Sequence, residues 1–170
     1  NGYFVTRGAL PEAVDDGVNY PGTYVAGLYN RLTTEVAGHD VENEDLVNVP
    51  NWLPLTFRVD NSAWFDIRDA DILDHRLELD MRRATLTRHL RWQDRAGRRT
   101  SLVQRRLVSM TDPHLAGLES TFTAENWSGT MQVRSGLDGR IANAGVKRYR
   151  DLDGRHLTVL RADEASAETI

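Results

Sequence analysis

The sequence predicts an all-β protein, a large antiparallel β-sandwich with at most one or two short helices. Apolar residues fall mostly in short runs with period-two alternation, the pattern of half-buried strands. The runs are bounded by turn residues, among them the hairpin dipeptides Asp138-Gly139 and Asp153-Gly154. About a dozen such runs cannot lie in one open sheet without curling or splitting, so two stacked antiparallel sheets are expected.

Taken in order, residues 1–6 read as a strand that begins upstream of Asn1. Residues 9–21 read as a loop carrying Glu12, Asp15 and Asp16 and closed by Tyr20-Pro21-Gly22. A strand over 23–29 follows, then a polar stretch over 33–44 with a turn at Gly38-His39-Asp40. Strands over 46–49 and 53–59 flank Pro50-Asn51-Trp52-Leu53-Pro54. The two prolines there remove backbone donors and push the preceding residues toward extended conformations. In that stretch Trp52 reads as a largely buried side chain. A turn at 60–62 precedes a strand over 64–67. Over 70–79, Ile72, Leu73, Leu77 and Leu79 fall partly at helical spacing with Asp69 or Asp71 as N-cap, so a short helix is expected. Strands over 84–92 and 99–110 enclose a loop with Gly97 at its left-handed position. After Thr111-Asp112-Pro113, residues 115–123 and 129–135 alternate. Past Arg161 periodicity is lost. The expected division is a domain over 1–161 and a linker or truncated edge over 162–170.

Composition narrows the function. Forty per cent of residues are hydrophobic and 27% charged, ordinary for a globular domain with a real core, and the net charge is −4. The basic pairs Arg98-Arg99 and Arg105-Arg106 make no clustered face, which argues against nucleic acid. Without cysteine, disulfides, thiolate metal sites and cysteine nucleophiles are excluded, and a cytoplasmic home is compatible. No apolar run approaches a membrane span.

Motifs for chemistry are sparse. Asp66, Asp69, Asp71 and Asp74 form the densest acidic group, but lack the glycine and terminal acid of a calcium loop and read as solvated or capping residues. Glu42, Glu44 and Asp45 form a second group. The five histidines stand singly, and no Gly-x-Ser-x-Gly elbow or phosphate-cradling glycine loop is present. No catalytic residue and no metal ligand is named. The binding candidates are Arg7, Asn51 and Trp52, as an interdomain contact or a pocket wall.

The segment Leu46-Val47-Asn48-Val49-Pro50-Asn51-Trp52-Leu53-Pro54-Leu55 resembles the N-terminal domain of glycoside hydrolase family 65, the family of maltose, trehalose and kojibiose phosphorylases and related hydrolases. The likeness extends through Asn1-Gly2-Tyr3-Phe4-Val5-Thr6-Arg7-Gly8, Gly22-Thr23-Tyr24-Val25-Ala26-Gly27-Leu28-Tyr29-Asn30, Leu79-Asp80-Met81-Arg82 with Leu86-Thr87-Arg88, Arg106-Leu107-Val108-Ser109-Met110 and Leu137-Asp138-Gly139. Ala84 departs from it, since the family's turn calls for glycine there. The resemblance implies a galactose-mutarotase-like supersandwich followed by a catalytic (α/α) barrel. The barrel would supply a glutamate that protonates the glycosidic oxygen of an α-linked glucose disaccharide while phosphate or water attacks with inversion. It also implies a homodimer, no cofactor, and inorganic phosphate as co-substrate of a phosphorylase. The alternative is a stand-alone carbohydrate-binding or aldose-epimerase-like module; mutarotase-like catalysis would need a paired His and Glu.

Overall fold

The computed structural model describes residues 1–13, 15–144, 151–158 and 160. The described residues form strands β1 (Phe4–Thr6), β2 (Thr23–Val25), β3 (Tyr29–Val36), β4 (His39–Leu46), β5 (Leu55–Val59), β6 (Asp71–Asp80), β7 (Thr85–Gln93), β8 (Arg99–Val108), β9 (Ala116–Ala124) and β10 (Met131–Ser135). They contain no helix. The centre is an antiparallel meander, β6-β7-β8-β9; β1 pairs with β2, β3 with β4, and β10 with β5.

The alternation of β7 and β8 builds the core. Arg88, Leu90 and Trp92 of β7 and Thr100, Leu102, Gln104 and Arg106 of β8 are buried, while their neighbours in sequence face out. Register sets the inward side chains in rows across the sheet, such as His75–Leu90–Leu102–Phe122. The β5–β10 ribbon covers one end of this face. Phe57 of β5, 2% exposed, packs on Leu90, Trp92 and Leu102, its ring 5.2 Å from Trp92 and 4.7 Å from Phe122. Two apposed layers around an aromatic core make this an antiparallel sandwich. At the other end the loop after β1 folds over the sheet. Glu12 there pairs with Arg88, both side chains almost wholly buried, and Arg106 Nη1 donates to the Ala9 carbonyl at 3.2 Å.

The expected helix over 70–79 is instead β6, paired with β7 along its length. From Asp74 to Asp80 charged residues alternate with His75, Leu77 and Leu79, a strand pattern. The register shifts between Ile72 and Asp74, and this irregularity sets Ile72 and Leu73 side by side in a way that mimics helical spacing. The polar 33–44 stretch pairs with itself around its turn. It forms most of the β3–β4 hairpin, closed at Ala37-Gly38 with both residues at positive φ, and its polarity reflects a ribbon that is largely exposed. Residues 47–54 and 64–67 are not strands, and 23–29 breaks at Gly27. Among the described residues Asp138-Gly139 closes no hairpin; Asp138 instead bridges Asn51. Asp153-Gly154 lies in no strand either, and residues 145–150, 159 and 161–170 beside it, including the expected linker, lie outside the described residues.

Ala84 holds the left-handed conformation that glycine would adopt freely, with φ of 52°, so the turn before β7 survives the departure at this position. Gly97 takes its expected left-handed place, with φ of 78°.

Candidate functional site

The Pro-punctuated stretch is held by polar side chains rather than by strand pairing. Asn48, 1% exposed, accepts from the Thr23 amide at 2.9 Å and donates to the carbonyls of Pro21 and Ala142. Its own amide donates to the Asn143 side chain, which reaches back to the Leu46 carbonyl. Asn51 exchanges two backbone hydrogen bonds with Asp138, at 2.8 and 2.9 Å, and its side-chain oxygen accepts from the Leu53 amide. The Asn51 side chain therefore shapes the backbone. Trp52 is half-buried, its ring 6.3 Å from that of Phe4, and its indole N–H is buried without a hydrogen-bond partner among the described residues.

Arg7 follows directly on β1, which pairs with β2. Its amide donates to the Gly22 carbonyl at 2.8 Å, and its guanidinium lies 4.3 Å from the Tyr20 ring centroid and 5.8 Å from that of Tyr24. Gly22 permits this, because a Cβ there would stand 2.8 Å from the Arg7 side chain and 2.9 Å from the Tyr24 ring. Burial, and then the neighbouring Tyr20 hydroxyl, push the Tyr24 phenol above its ordinary pKa. Among the described residues no carboxylate pairs with Arg7. It is an exposed cation on a two-tyrosine platform, able to meet a hydroxyl, a phosphate or an acid. Arg7 and Trp52 thus both flank β1, while Asn51 faces Asp138.

A cavity of about 260 Å³ opens between the 60–70 loop and the turn joining β7 to β8. Phe57, Val59, Phe65 and Trp92 give it an apolar floor. Trp64 forms a wall, with the guanidinium carbons of Arg134 and Arg58 4.3 and 4.8 Å from its ring centroid. Ion pairs tie the rim: Arg95 to Asp69 at 3.0 Å, Arg98 to Asp94 at 2.7 Å and to Asp60 at 3.5 Å. Hydrogen bonds from the Arg68 side chain and amide hold the Asp66 carboxyl down at about 2. Burial pushes Asp94 up, but hydrogen bonds from Arg98 and Ala96 outweigh it and leave its pKa below the ordinary value. Such a rim can accept and donate hydrogen bonds to a small neutral ligand. Asp66 and Asp94 are held below their ordinary values, the opposite of the raised pKa a general acid needs near neutral pH.

The sequence names Asp66 and Asp69 as an acidic cluster, and the structure parts them onto separate arginines. Asp94, Arg95 and Arg98 carry no sequence signal for the cavity, since only the fold of the meander brings their turn beside Trp64. Among the described residues no three His, Asp or Glu side chains group closely enough to hold a metal ion.

These features define a β-sandwich with an ion-paired polar rim around its cavity. The profile of glycosyl hydrolase family 65, N-terminal domain, matches residues 1–170, and the chain belongs to that family as its N-terminal domain. It is 51% identical over 158 residues to an uncharacterized glycosyl hydrolase of Mycobacterium tuberculosis, a match covering 93% of this chain and 12% of the relative. It is 30% identical to the kojibiose phosphorylase of Halothermothrix orenii, covering the whole of this chain and 21% of that enzyme. With the trehalose 6-phosphate phosphorylase of Lactococcus lactis it shares 32% identity, over 95% of this chain and 20% of the relative. The chain thus spans no more than about a fifth of these relatives' length.

Proposed function

We propose that this domain is the non-catalytic N-terminal sandwich of an α-glucoside phosphorylase or hydrolase. A helical barrel elsewhere in the polypeptide carries the catalytic acid. The sandwich supports that barrel, contributes a wall to its active site through Arg7 and the Asn51-Trp52 segment, and helps to build a homodimer. The observation that carries this reading is the family match along the whole chain, joined to relatives named as disaccharide phosphorylases. The electrostatics point the same way. Inverting cleavage needs a protonated carboxyl at the leaving oxygen and an activated nucleophile on the opposite face. The rim carboxylates of the cavity are instead paired with arginine, and those with shifted pKa lie below their ordinary values.

The substrate class is an α-linked glucose disaccharide, with inorganic phosphate as co-substrate if the enzyme is a phosphorylase. The test is to incubate the full-length protein with maltose, trehalose and kojibiose, with and without phosphate, and to measure glucose and glucose 1-phosphate. Phosphate-dependent glucose 1-phosphate makes it a phosphorylase, and glucose alone a hydrolase. Turnover of none of these, nor of their phosphorylated forms, overturns the assignment.

A further inference from the structure

β6 is an amphipathic strand whose apolar side is uncovered. Asp74, Arg76, Glu78 and Asp80 face away from the sandwich, while Leu77 and Leu79 share the inward face with Arg88 and Leu86 of β7. Period-two alternation of this kind marks a strand with one face in a core. Yet Leu77 is 51% exposed and Leu79 62%. The β5–β10 ribbon packs on the rows of Leu90 and Trp92, leaving the rows of Leu77 and Leu79 to the loop at 8–12. Among the described residues β6 is also a sheet edge, with no strand paired to its outer backbone groups.

The charge on this end of the face does not balance. Arg88 and Arg106 are buried neighbours on the inward side, at 3% and 9% exposure. Glu12 takes Arg88 in a two-point ion pair. Arg106 has the Ala9 carbonyl, and no ion pair joins it to a carboxylate among the described residues. It lines a small cleft with Leu77, Leu86, Gln104 and the loop from Gly8 to Pro11. Guanidinium stays charged in proteins, and a buried charge without a counter-ion is costly, so the cleft calls for an anion. A free inorganic ion would gain nothing from the exposed leucines beside it. A polypeptide segment would cover them and neutralise Arg106 together.

We infer that the inward face of β6 seats another segment of the enzyme's own polypeptide, an aliphatic stretch that covers Leu77 and Leu79 and brings a carboxylate to Arg106. The inference rests on the reading of this chain as the N-terminal domain of a longer enzyme and names the surface through which it joins the rest.

Cysteine labelling in the full-length protein tests it. The 170 residues contain no cysteine, so Leu79→Cys and Glu78→Cys place thiols on opposite faces of one strand. Cys at 79 is expected to react with a maleimide at least about tenfold more slowly than Cys at 78, because it is reached only on local opening. That protection should not change on dilution. Equal rates overturn the inference, and protection lost on dilution overturns it in favour of a second copy. Arg106→Met supplies a test by sign. Removing a charge that is paired elsewhere in the polypeptide orphans its carboxylate and lowers Tm by roughly 5 °C or more, whereas relieving an unpaired buried charge raises it. A raised Tm overturns the inference. The labelling result stands whether or not Arg106→Met folds. Fast labelling at 79 in a protein that cleaves disaccharides defeats this inference alone. Slow labelling in a protein without disaccharide turnover defeats the functional reading instead.

Discussion

Replacing Glu12 with glutamine tests the internal clamp of the sandwich. The side chains of Glu12 and Arg88 are 2% and 4% exposed, and both carboxylate oxygens accept from the guanidinium, at 2.5 and 2.8 Å. Glu12→Gln keeps the volume and one acceptor but removes the charge. Arg88 is then left a buried charge with one amide acceptor and its contact to the His75 ring at 3.3 Å. Breaking a buried ion pair on one side costs about 3–5 kcal/mol, and the retained amide acceptor sets this case near the lower end, about 3 kcal/mol. Against a total of roughly 5–15 kcal/mol that is a large fraction. For a domain of this size it corresponds to a fall in Tm of about 6–12 °C. Urea titration with the m-value held constant measures it. The double variant Glu12→Gln with Arg88→Met should recover part of the loss, since an apolar pair no longer strands a charge. A loss below about 1 kcal/mol for the single variant, well under the range for buried pairs, would refute the reasoning.

Ala84→Gly should stabilise the protein by about 0.5–1 kcal/mol in the same titration, because glycine relieves the left-handed strain at φ 52° at some entropic cost; a loss would show that the turn is not strained. Trp52→Ala should cost about 2–3 kcal/mol, below the 3–5 of a fully buried ring, while Trp52→Phe should stay within about 1 kcal/mol because it removes a partnerless N–H. Hydrogen bonds from Arg91 and then Ser101 hold Glu125 at about 2 against an ordinary 4.5, and Arg68 holds Asp66 at about 2 against 3.8. With folded-state pKa values depressed, this stability is present above about pH 4.5 and lost as pH falls toward 2. Tm measured against pH should therefore drop over that window, and less steeply in Glu125→Gln; identical acid limbs would count against the pairing.

The all-β class was legible because β7, β8 and β9 alternate plainly, and both their extents and their inward faces follow from that pattern. β6 hides as a strand because a register shift near Leu73 breaks the same alternation. β3 and β4 were hidden by polarity, since an exposed ribbon needs no apolar face. The site was less legible. Arg7 could be singled out as a charge, but its seat on Tyr20 and Tyr24 depends on Gly22 lying within touching distance. Glu12 and Arg88 stand 76 positions apart, and the structural work of Asn48 spans 94 residues. No local pattern reports such pairs; only the folded register does.

The central claim, that the chemistry belongs to another part of the polypeptide, is tested most directly by a carboxylate scan. Each Asp and Glu among the described residues is changed to its amide in the full-length protein, and disaccharide turnover is measured on the variants that fold. The account predicts that every such variant keeps kcat within about tenfold of the parent, since none removes an acid or base acting on the substrate. A folded variant that loses about 10²–10⁴-fold in kcat, the cost of removing a general acid or base, would place the catalytic acid in this sandwich and contradict the account.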